Sequence, residues 1–191
     1  MSGARRILAI TALVIAGESV FLLPFVLPRV FRPTLLDVFD LTNLELGTAL
    51  AVYGVVAMAA YFFGGPLADR FPARNLLAVA LASTAAGGLV MMTVPSQPTL
   101  VLLYAYWGLT TIALMWAPMI RATRQWGGET EQGRAFGLLD GGRGLLAASM
   151  GSVMVLLFAG VLPEDASTAN ITERTEALRR VILAMSGITL A

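Results

Sequence analysis

The sequence predicts an all-α membrane protein whose helices form a transmembrane helical bundle. Of its 191 residues, 57% are hydrophobic and 13% are charged, about half the charged share of a soluble domain. A soluble domain of this length could not bury that much apolar surface. Several mostly apolar stretches reach about 20 residues, the length that crosses a bilayer as a helix.

Five of these stretches are complete, and a sixth is short. The complete stretches cover residues 7–31, 46–67, 76–94, 100–120 and 136–161. The sixth, 178–191, begins near Leu178 and has 14 residues, which is too few to cross a bilayer. We therefore expect residues 1–191 to form one N-terminal transmembrane bundle of a longer protein, cut within the sixth helix.

The composition also excludes several classes of function. The net charge of +1 provides no basic surface, so no nucleic-acid partner is expected. Cysteine and histidine are both absent, which removes disulfides, thiolate metal sites and the commonest general base. We expect no catalytic residue, no metal site and no cofactor; the lipid bilayer is the predicted surrounding.

The arginines indicate the orientation of the spans. With a cytoplasmic N-terminus, seven of the 13 arginines fall in inner segments and five in outer segments. This excess follows the positive-inside rule. It predicts a multi-pass protein of the inner (plasma) membrane with its N-terminus in the cytoplasm.

The connection between the second and third stretches carries a recognisable motif. It reads Gly64-Gly65-Pro66-Leu67-Ala68-Asp69-Arg70-Phe71-Pro72-Ala73-Arg74. This loop resembles the signature of the major facilitator superfamily, in which Gly65, Asp69, Arg70 and Arg74 fill defining positions. The resemblance implies the N-terminal half of a twelve-helix fold, a secondary transporter working by alternating access, and a latch to the missing C-terminal half. A charged loop that only enforces topology is the alternative interpretation.

A second stretch bears on the branch of this family. Trp116–Arg121 and Glu131–Gly144 are similar to the organophosphate and organic-anion branch, which implies a small anionic solute, with coupling to protons or to a counter-anion. A drug exporter of the same superfamily is the first alternative. Such exporters carry an arginine four residues before a glycine in the fourth span, whereas here Tyr104 precedes Gly108 at that spacing. A non-transporting six-span scaffold is the second alternative.

A few charges lie inside the predicted spans, where they are costly and usually face protein or water. Asp140 and Arg143 are three residues apart, so they share a helix face and can pair. We predict that Arg143 binds an anion through its planar fork, oriented by Asp140. A neutralised structural pair is the alternative.

Three further residues are candidates. Glu18, within the first span, is the candidate proton-coupling residue, because a carboxyl group there can take up and release a proton. Arg29 is a candidate outer anion-binding residue, and Tyr53 a candidate cavity-lining residue. Packing for Glu18 and snorkelling of Arg29 to lipid headgroups are the competing interpretations.

Overall fold

The chain forms a bundle of helices, and the computed structural model describes residues 3–163 and 168–191. No β-strand occurs within these ranges. Five helical segments in the described residues are long and apolar enough to cross a membrane. The predicted fold class, an all-α transmembrane bundle, is confirmed.

The first membrane-length segment, Gly3–Val30, and the fourth, Gln97–Gly127, each consist of two helices joined by a π-helical turn. Those turns are Leu22–Val26 and Ile112–Trp116. The helices are α1 (Gly3–Phe21), α2 (Leu27–Val30), α3 (Arg32–Phe39), α4 (Asn43–Arg70), α5 (Ala73–Met91), α6 (Gln97–Thr111), α7 (Ala117–Gly127), α8 (Gln132–Ala159) and α9 (Ile171–Leu190).

Prolines account for the position of the first π-helical turn. Pro24 lies within it and has no N–H to donate, so the regular i to i−4 ladder is interrupted there. Pro28, four residues later, likewise has no N–H to donate to the Pro24 carbonyl, which accepts instead from the Tyr104 hydroxyl at 3.2 Å. A buried backbone acceptor that proline would otherwise leave unpaired is thereby satisfied from another helix.

Capping boxes define where α4 and α9 begin. The Thr42 hydroxyl accepts from the Glu45 N–H at 3.2 Å, and the Glu45 carboxylate accepts from the Thr42 N–H at 2.7 Å. Asn170 and Glu173 make the same reciprocal pair, at 3.0 and 2.9 Å. Each box satisfies two N–H groups that a helix start otherwise leaves unpaired.

The last helix is longer than the sequence suggested. It starts at Ile171 rather than near Leu178, because its first two turns are charged and escape a search for apolar residues. Further along, the Thr189 hydroxyl donates to the Ser19 carbonyl of α1 at 2.9 Å. This helix also packs closely along α5.

The first span is central to the packing. It contacts α5, α7, α8 and α9, and α8 lies along α1. The main core surrounds its π-helical turn, where Leu22, Leu23 and Leu27 are fully buried. A smaller core, which includes Leu13, Met115 and Leu139, lies beside the first half of α1. The arrangement brings the middle of α1 against α8, where the charged residues lie.

Candidate functional site

Charged side chains from two spans meet where α1 packs on α8. Arg143 of α8 lies with its Nε 3.4 Å from the Glu18 carboxylate and its Nη1 3.5 Å from the Asp140 carboxylate. Two aromatic rings flank the guanidinium, Phe21 at 5.4 Å and Trp116 at 5.8 Å from its carbon to the ring centres. We call these five residues the mid-span cluster.

The members of the mid-span cluster differ in exposure. The side chains of Glu18 and Arg143 are 10% and 16% exposed, whereas that of Asp140 is 68% exposed. A charged pair so far from solvent is retained in a membrane span only where each charge has a partner. Glu18 and Arg143 therefore neutralise one another across the helix contact, and Asp140 pairs from the open side.

Arg143 has hydrogen-bonding capacity that these contacts do not use. A guanidinium carries five N–H donors. Within the described part of the chain, Arg143 donates one hydrogen bond, from Nε to the Gly17 carbonyl at 3.2 Å. Its carboxylate contacts exceed the 2.7–2.9 Å typical of charge-assisted hydrogen bonds, so they are ion pairs of looser geometry.

A separate cleft, which no residue of the mid-span cluster lines, contains the second arginine that the sequence singled out. The cleft, about 460 Å³, lies between α2 and α8, beginning at Gly144 and continuing along α8 to Val155. Arg29 lines it and is exposed, with no ion pair to any residue the structure describes. The α8 wall consists mostly of small residues, namely Gly144, Ala147, Ala148, Gly151 and Ser152.

Tyr53 lies in a different environment, inside the main core. It is 6% exposed, and its hydroxyl is 2.7 Å from that of Thr111. Its ring meets the Phe25 ring edge-on at 4.8 Å between centres. The tyrosine therefore links α4 to α6, and its hydroxyl already has a protein partner.

The signature loop joins α4 to α5, and an arginine from the fourth span reaches it. Arg121 lies 3.7 Å from the Asp69 carboxylate and donates a hydrogen bond to the Ala68 carbonyl. The Arg70 guanidinium lies 5.9 Å from the centre of the Phe71 ring, and Arg74 is exposed. The structure thus adds Arg121 to the residues that the loop motif identified.

The paired glycines of this motif have different surroundings. A Cβ on Gly64 would lie 3.4 Å from the Ile112 carbonyl oxygen, whereas a Cβ on Gly65 would meet nothing within 4 Å. Gly64 therefore permits the close approach of α4 to the fourth span. Gly65 leaves a smooth exposed surface beside Asp69.

A second charged cluster, which no sequence pattern indicated, lies at the helix ends. Arg6 lies 2.5 Å from one oxygen of Glu131, and Arg134 lies 2.9 Å from the other. Trp126 donates from its indole to the Arg6 carbonyl at 2.7 Å, and its ring lies under the Arg6 guanidinium at 4.7 Å. We call Arg6, Trp126, Glu131 and Arg134 the helix-end cluster.

The helix-end cluster stabilises the charged form of its carboxylate. The hydrogen bond from Arg6, reinforced by that from Arg134, holds the pKa of Glu131 below its usual value. The Glu131 charge thus ties the start of α1 to the connection between α7 and α8. The family resemblance of the sequence includes the stretch from Glu131 to Arg134. Only the folded chain, however, brings Glu131 against Arg6.

Neither cluster has the composition of a metal site. Within residues 3–163 and 168–191, no group of three or more Asp or Glu side chains lies close enough together to hold a metal ion. The mid-span cluster has one cation between two carboxylates, and the helix-end cluster has two cations around one carboxylate. What the mid-span arrangement offers chemically is a guanidinium with N–H donors that have no described partner.

Comparison with known proteins identifies a family. The model of the Major Facilitator Superfamily matches residues 3–190. The chain is 26% identical over 164 residues to the inner membrane protein YqcE of Escherichia coli, covering 86% of this chain and 38% of YqcE. It is 27% identical over 134 residues to the inner membrane protein YihN of the same organism, covering 70% and 32%.

A third relative comes from another bacterium. The chain is 26% identical over 171 residues to an uncharacterized protein, the MG294 homolog of Mycoplasma pneumoniae, covering 83% of this chain and 34% of that protein. The chain thus spans about a third of the length of the curated relatives it matches. No solved structure matches it.

Proposed function

This chain belongs to the Major Facilitator Superfamily, a family of membrane transporters, and we propose that it supplies the N-terminal bundle of a secondary transporter for a small organic anion. Its surroundings are a lipid bilayer, and two of its relatives are named as inner membrane proteins. The proposal includes a multi-pass location in the inner membrane with the N-terminus in the cytoplasm, supported by the distribution of arginines.

The proposal of an anionic solute rests on the guanidinium of Arg143, most of whose N–H donors form no described hydrogen bond. It is 16% exposed and lies between two aromatic rings and two carboxylates, so an anion that reaches it is largely shielded from water. Its unused N–H donors match the two oxygens of a carboxylate or phosphate. The likeness of Glu131–Gly144 to the organophosphate and organic-anion branch supports the same class of solute.

The cleft between α2 and α8 supports a site for a whole small molecule rather than a single ion. Its volume of about 460 Å³ falls in the range of small-ligand sites. Arg29 contributes an unpaired cation to the same cleft, on the opposite helix. An anionic solute would contact Arg29 within the cleft, whose lining on α8 begins at Gly144, the residue after Arg143.

Transport requires a second wall for this cleft. In the alternating-access mechanism, two helical bundles rock about a site between them. We propose that a further C-terminal bundle provides that wall, since the relatives are about three times as long as the region matched. The loop residues Gly65, Asp69, Arg70 and Arg74 form the conformational latch toward that bundle, and Arg121 holds Asp69 in place.

The proposal is tested by uptake into proteoliposomes that contain the full-length gene product. Four anionic probes cover the class: inorganic phosphate, glycerol 3-phosphate, gluconate and succinate. Two lipophilic cations, ethidium and tetraphenylphosphonium, represent the substrates of a drug exporter. We expect uptake of at least one anion, competition among anions, and no transport of the cations.

Two results would contradict the proposal. Transport of the cations without any anion would indicate a drug exporter. Absence of movement of every probe, from protein that a thermal unfolding curve shows to be folded, would remove the case for an anion transporter and favour a non-transporting scaffold. Tyr53→Phe serves as a matched internal variant, because its hydroxyl pairs with Thr111 and its loss should leave the order of preference among anions unchanged.

A further inference from the structure

Two phenylalanines form the open face in the middle of the first span. From Gly17 to Pro28 every residue is buried except Phe21 and Phe25, which lie four positions apart and are partly exposed. Their ring centres are 5.9 Å apart, within the range of interacting aromatic rings. The two side chains therefore make one continuous aromatic surface, which we call the aromatic pair.

The aromatic pair runs from one arginine toward two others. The Arg143 guanidinium of α8 lies 5.4 Å from the centre of the Phe21 ring. At the other end, Phe25 lines a cavity of about 300 Å³, whose other lining side chains are two arginines and two apolar residues, namely Arg29, Arg32, Pro28 and Leu50. A cationic group is thus available at each end of an apolar, aromatic surface.

The surroundings of the aromatic pair indicate a water-filled cavity. Arg143 of α8 flanks the pair on one side, and Tyr53 of α4, whose ring meets that of Phe25, flanks it on the other. These two helices, α4 and α8, are the most exposed of the five membrane-length segments. Asp140 beside Arg143 is 68% exposed, and a charged side chain exposed at this depth faces water rather than lipid.

The chemistry of this surface favours an aromatic body on the solute. Aromatic rings attract one another edge to face or offset, at about 4.5–7 Å between centres, beyond the gain from burying their area. A hydroxyl-rich body would lose hydrogen bonds to water against these rings and gain none in return. A ring and a carboxylate on one small molecule reproduce the juxtaposition of Phe21 and Arg143.

We infer, on the premise of the proposed anion transport, that the solute is an aromatic carboxylate whose carboxylate pairs with Arg143 and whose ring rests on Phe21 and Phe25. Four positions of helix span about 6 Å, about the length of a benzene ring with one substituent. A cavity of about 150 Å³ is enough for benzene. The larger cavity beyond Phe25 therefore leaves room for a substituent on the far side of the ring.

The test uses the full-length protein in proteoliposomes at pH 7.5 on both sides of the membrane. It measures inhibition of the uptake of whichever of the four anionic probes is taken up best, with phenylacetate, cyclohexylacetate and acetate as competitors. Phenylacetate and cyclohexylacetate share their charge and carbon skeleton, but only phenylacetate has an aromatic ring. We expect half-inhibition by phenylacetate at a concentration about threefold to tenfold below that of cyclohexylacetate, and weaker inhibition by acetate.

The saturated competitor separates aromatic contact from plain burial of apolar area. The cyclohexyl ring is the more apolar of the two, so a surface that only buries apolar area would favour cyclohexylacetate. The ratio of the two half-inhibitory concentrations does not depend on how much transport a variant retains. It therefore reports on the solute's contacts even where a substitution lowers the rate.

Phe25→Leu removes the ring and keeps an apolar side chain, so it should lower the ratio toward one. Phe25→Tyr keeps the ring and should keep the ratio. Phe62→Leu is the matched control, because Phe62 lies nine positions beyond Tyr53 on α4, is 79% exposed, and should leave the ratio unchanged. If Phe25→Leu does not fold, Phe21→Leu decides, since the proposal expects the same decrease there.

Three results would overturn the inference while leaving anion transport intact. Cyclohexylacetate that inhibits the wild type as strongly as phenylacetate would make the aromatic pair a plain apolar surface. A preference for phenylacetate that persists in both leucine variants of the pair, or that falls equally in Phe62→Leu, would place the solute's ring elsewhere. A wild type that takes up none of the four anions contradicts the proposed function itself.

Discussion

The two charged clusters connect the same helices, α1 and α8, in opposite ways. The helix-end cluster places two arginines around Glu131, at 2.5 and 2.9 Å. The mid-span cluster places two carboxylates around Arg143, at 3.4 and 3.5 Å. In the helix-end cluster, each carboxylate oxygen of Glu131 has an arginine partner. In the mid-span cluster, Arg143 retains N–H donors that form no described hydrogen bond.

This difference separates a structural tie from a site that exchanges partners. Short, charge-assisted hydrogen bonds hold a fixed geometry. Looser ion pairs inside a span compensate the charge of the guanidinium while leaving donors available to a ligand. Changes at the mid-span cluster should therefore alter transport, and changes at the helix-end cluster should alter stability.

The largest effect is expected from Arg143→Lys. Lysine keeps the positive charge but lacks the planar fork, so one charge-assisted hydrogen bond to the anion is lost. Such a bond contributes about 1.5–3 kcal/mol, which corresponds to about a 10- to 100-fold loss of anion affinity. Saturation of probe uptake in proteoliposomes measures it.

Arg6→Lys is the matched control for that change in the helix-end cluster. It makes the same substitution at an arginine that pairs with a carboxylate, and it should leave probe affinity unchanged. If Arg143→Lys keeps normal affinity for the probe, or if both variants lose affinity equally, the two clusters do not differ in anion binding.

The helix contact between the clusters can be altered by a single methyl group. A Cβ on Gly142 would lie 2.8 and 2.9 Å from the two methyl carbons of Val14, a stiff β-branched side chain. We expect Gly142→Ala to destabilise the protein by about 1–3 kcal/mol and to weaken the pairing of Glu18 with Arg143. Thermal unfolding in detergent measures the first effect, and the affinity for the anionic probe in proteoliposomes the second.

The neighbouring glycine provides the control. A Cβ on Gly141 meets nothing within 4 Å, so Gly141→Ala should retain or slightly raise stability through better helix propensity. Equal losses for the two alanines would mean that the close contact with Val14 does not hold α8 against α1.

A smaller effect is expected from Arg29→Ala. Arg29 forms no ion pair with any described residue, so its removal strands no carboxylate and should not destabilise the bundle. Loss of one exposed cation from the cleft should raise the KM for the anion by about threefold to tenfold, with kcat unchanged. Arg180→Ala, which removes an exposed arginine on α9, should change neither constant; a matching change there would argue against a role for Arg29.

The smallest effect concerns Glu131 and acid pH. Its pKa is lowered in the folded protein, so its stabilising charge is complete above the usual Glu pKa of about 4.3 and is lost as the pH falls through the lower folded value. In a series from pH 6 to pH 3, the Tm of Glu131→Gln should decrease less steeply than that of the wild type. Glu129→Gln should follow the wild type, and a similar flattening there would remove the assignment to Glu131.

Interactions within one helix could be read from the sequence, whereas those between helices could not. The three-residue spacing of Asp140 and Arg143 predicts their pairing, and the structure brings them within 3.5 Å. The partner of Glu18 lies on a distant helix, and no spacing rule links the two positions. The contacts of Arg121 with Asp69 and of Arg6 with Glu131 were unforeseen for the same reason.

The sequence by itself determined the environment, the helical class and the family of this protein. Hydropathy and helix length are local properties, and the signature loop is a contiguous sequence motif. None of the three depends on how the helices pack. The tertiary structure decided which charges meet, because the rotation of each helix about its axis determines which side chains face a neighbour. That rotation places Glu18 against Arg143 and leaves Arg29 free in the cleft.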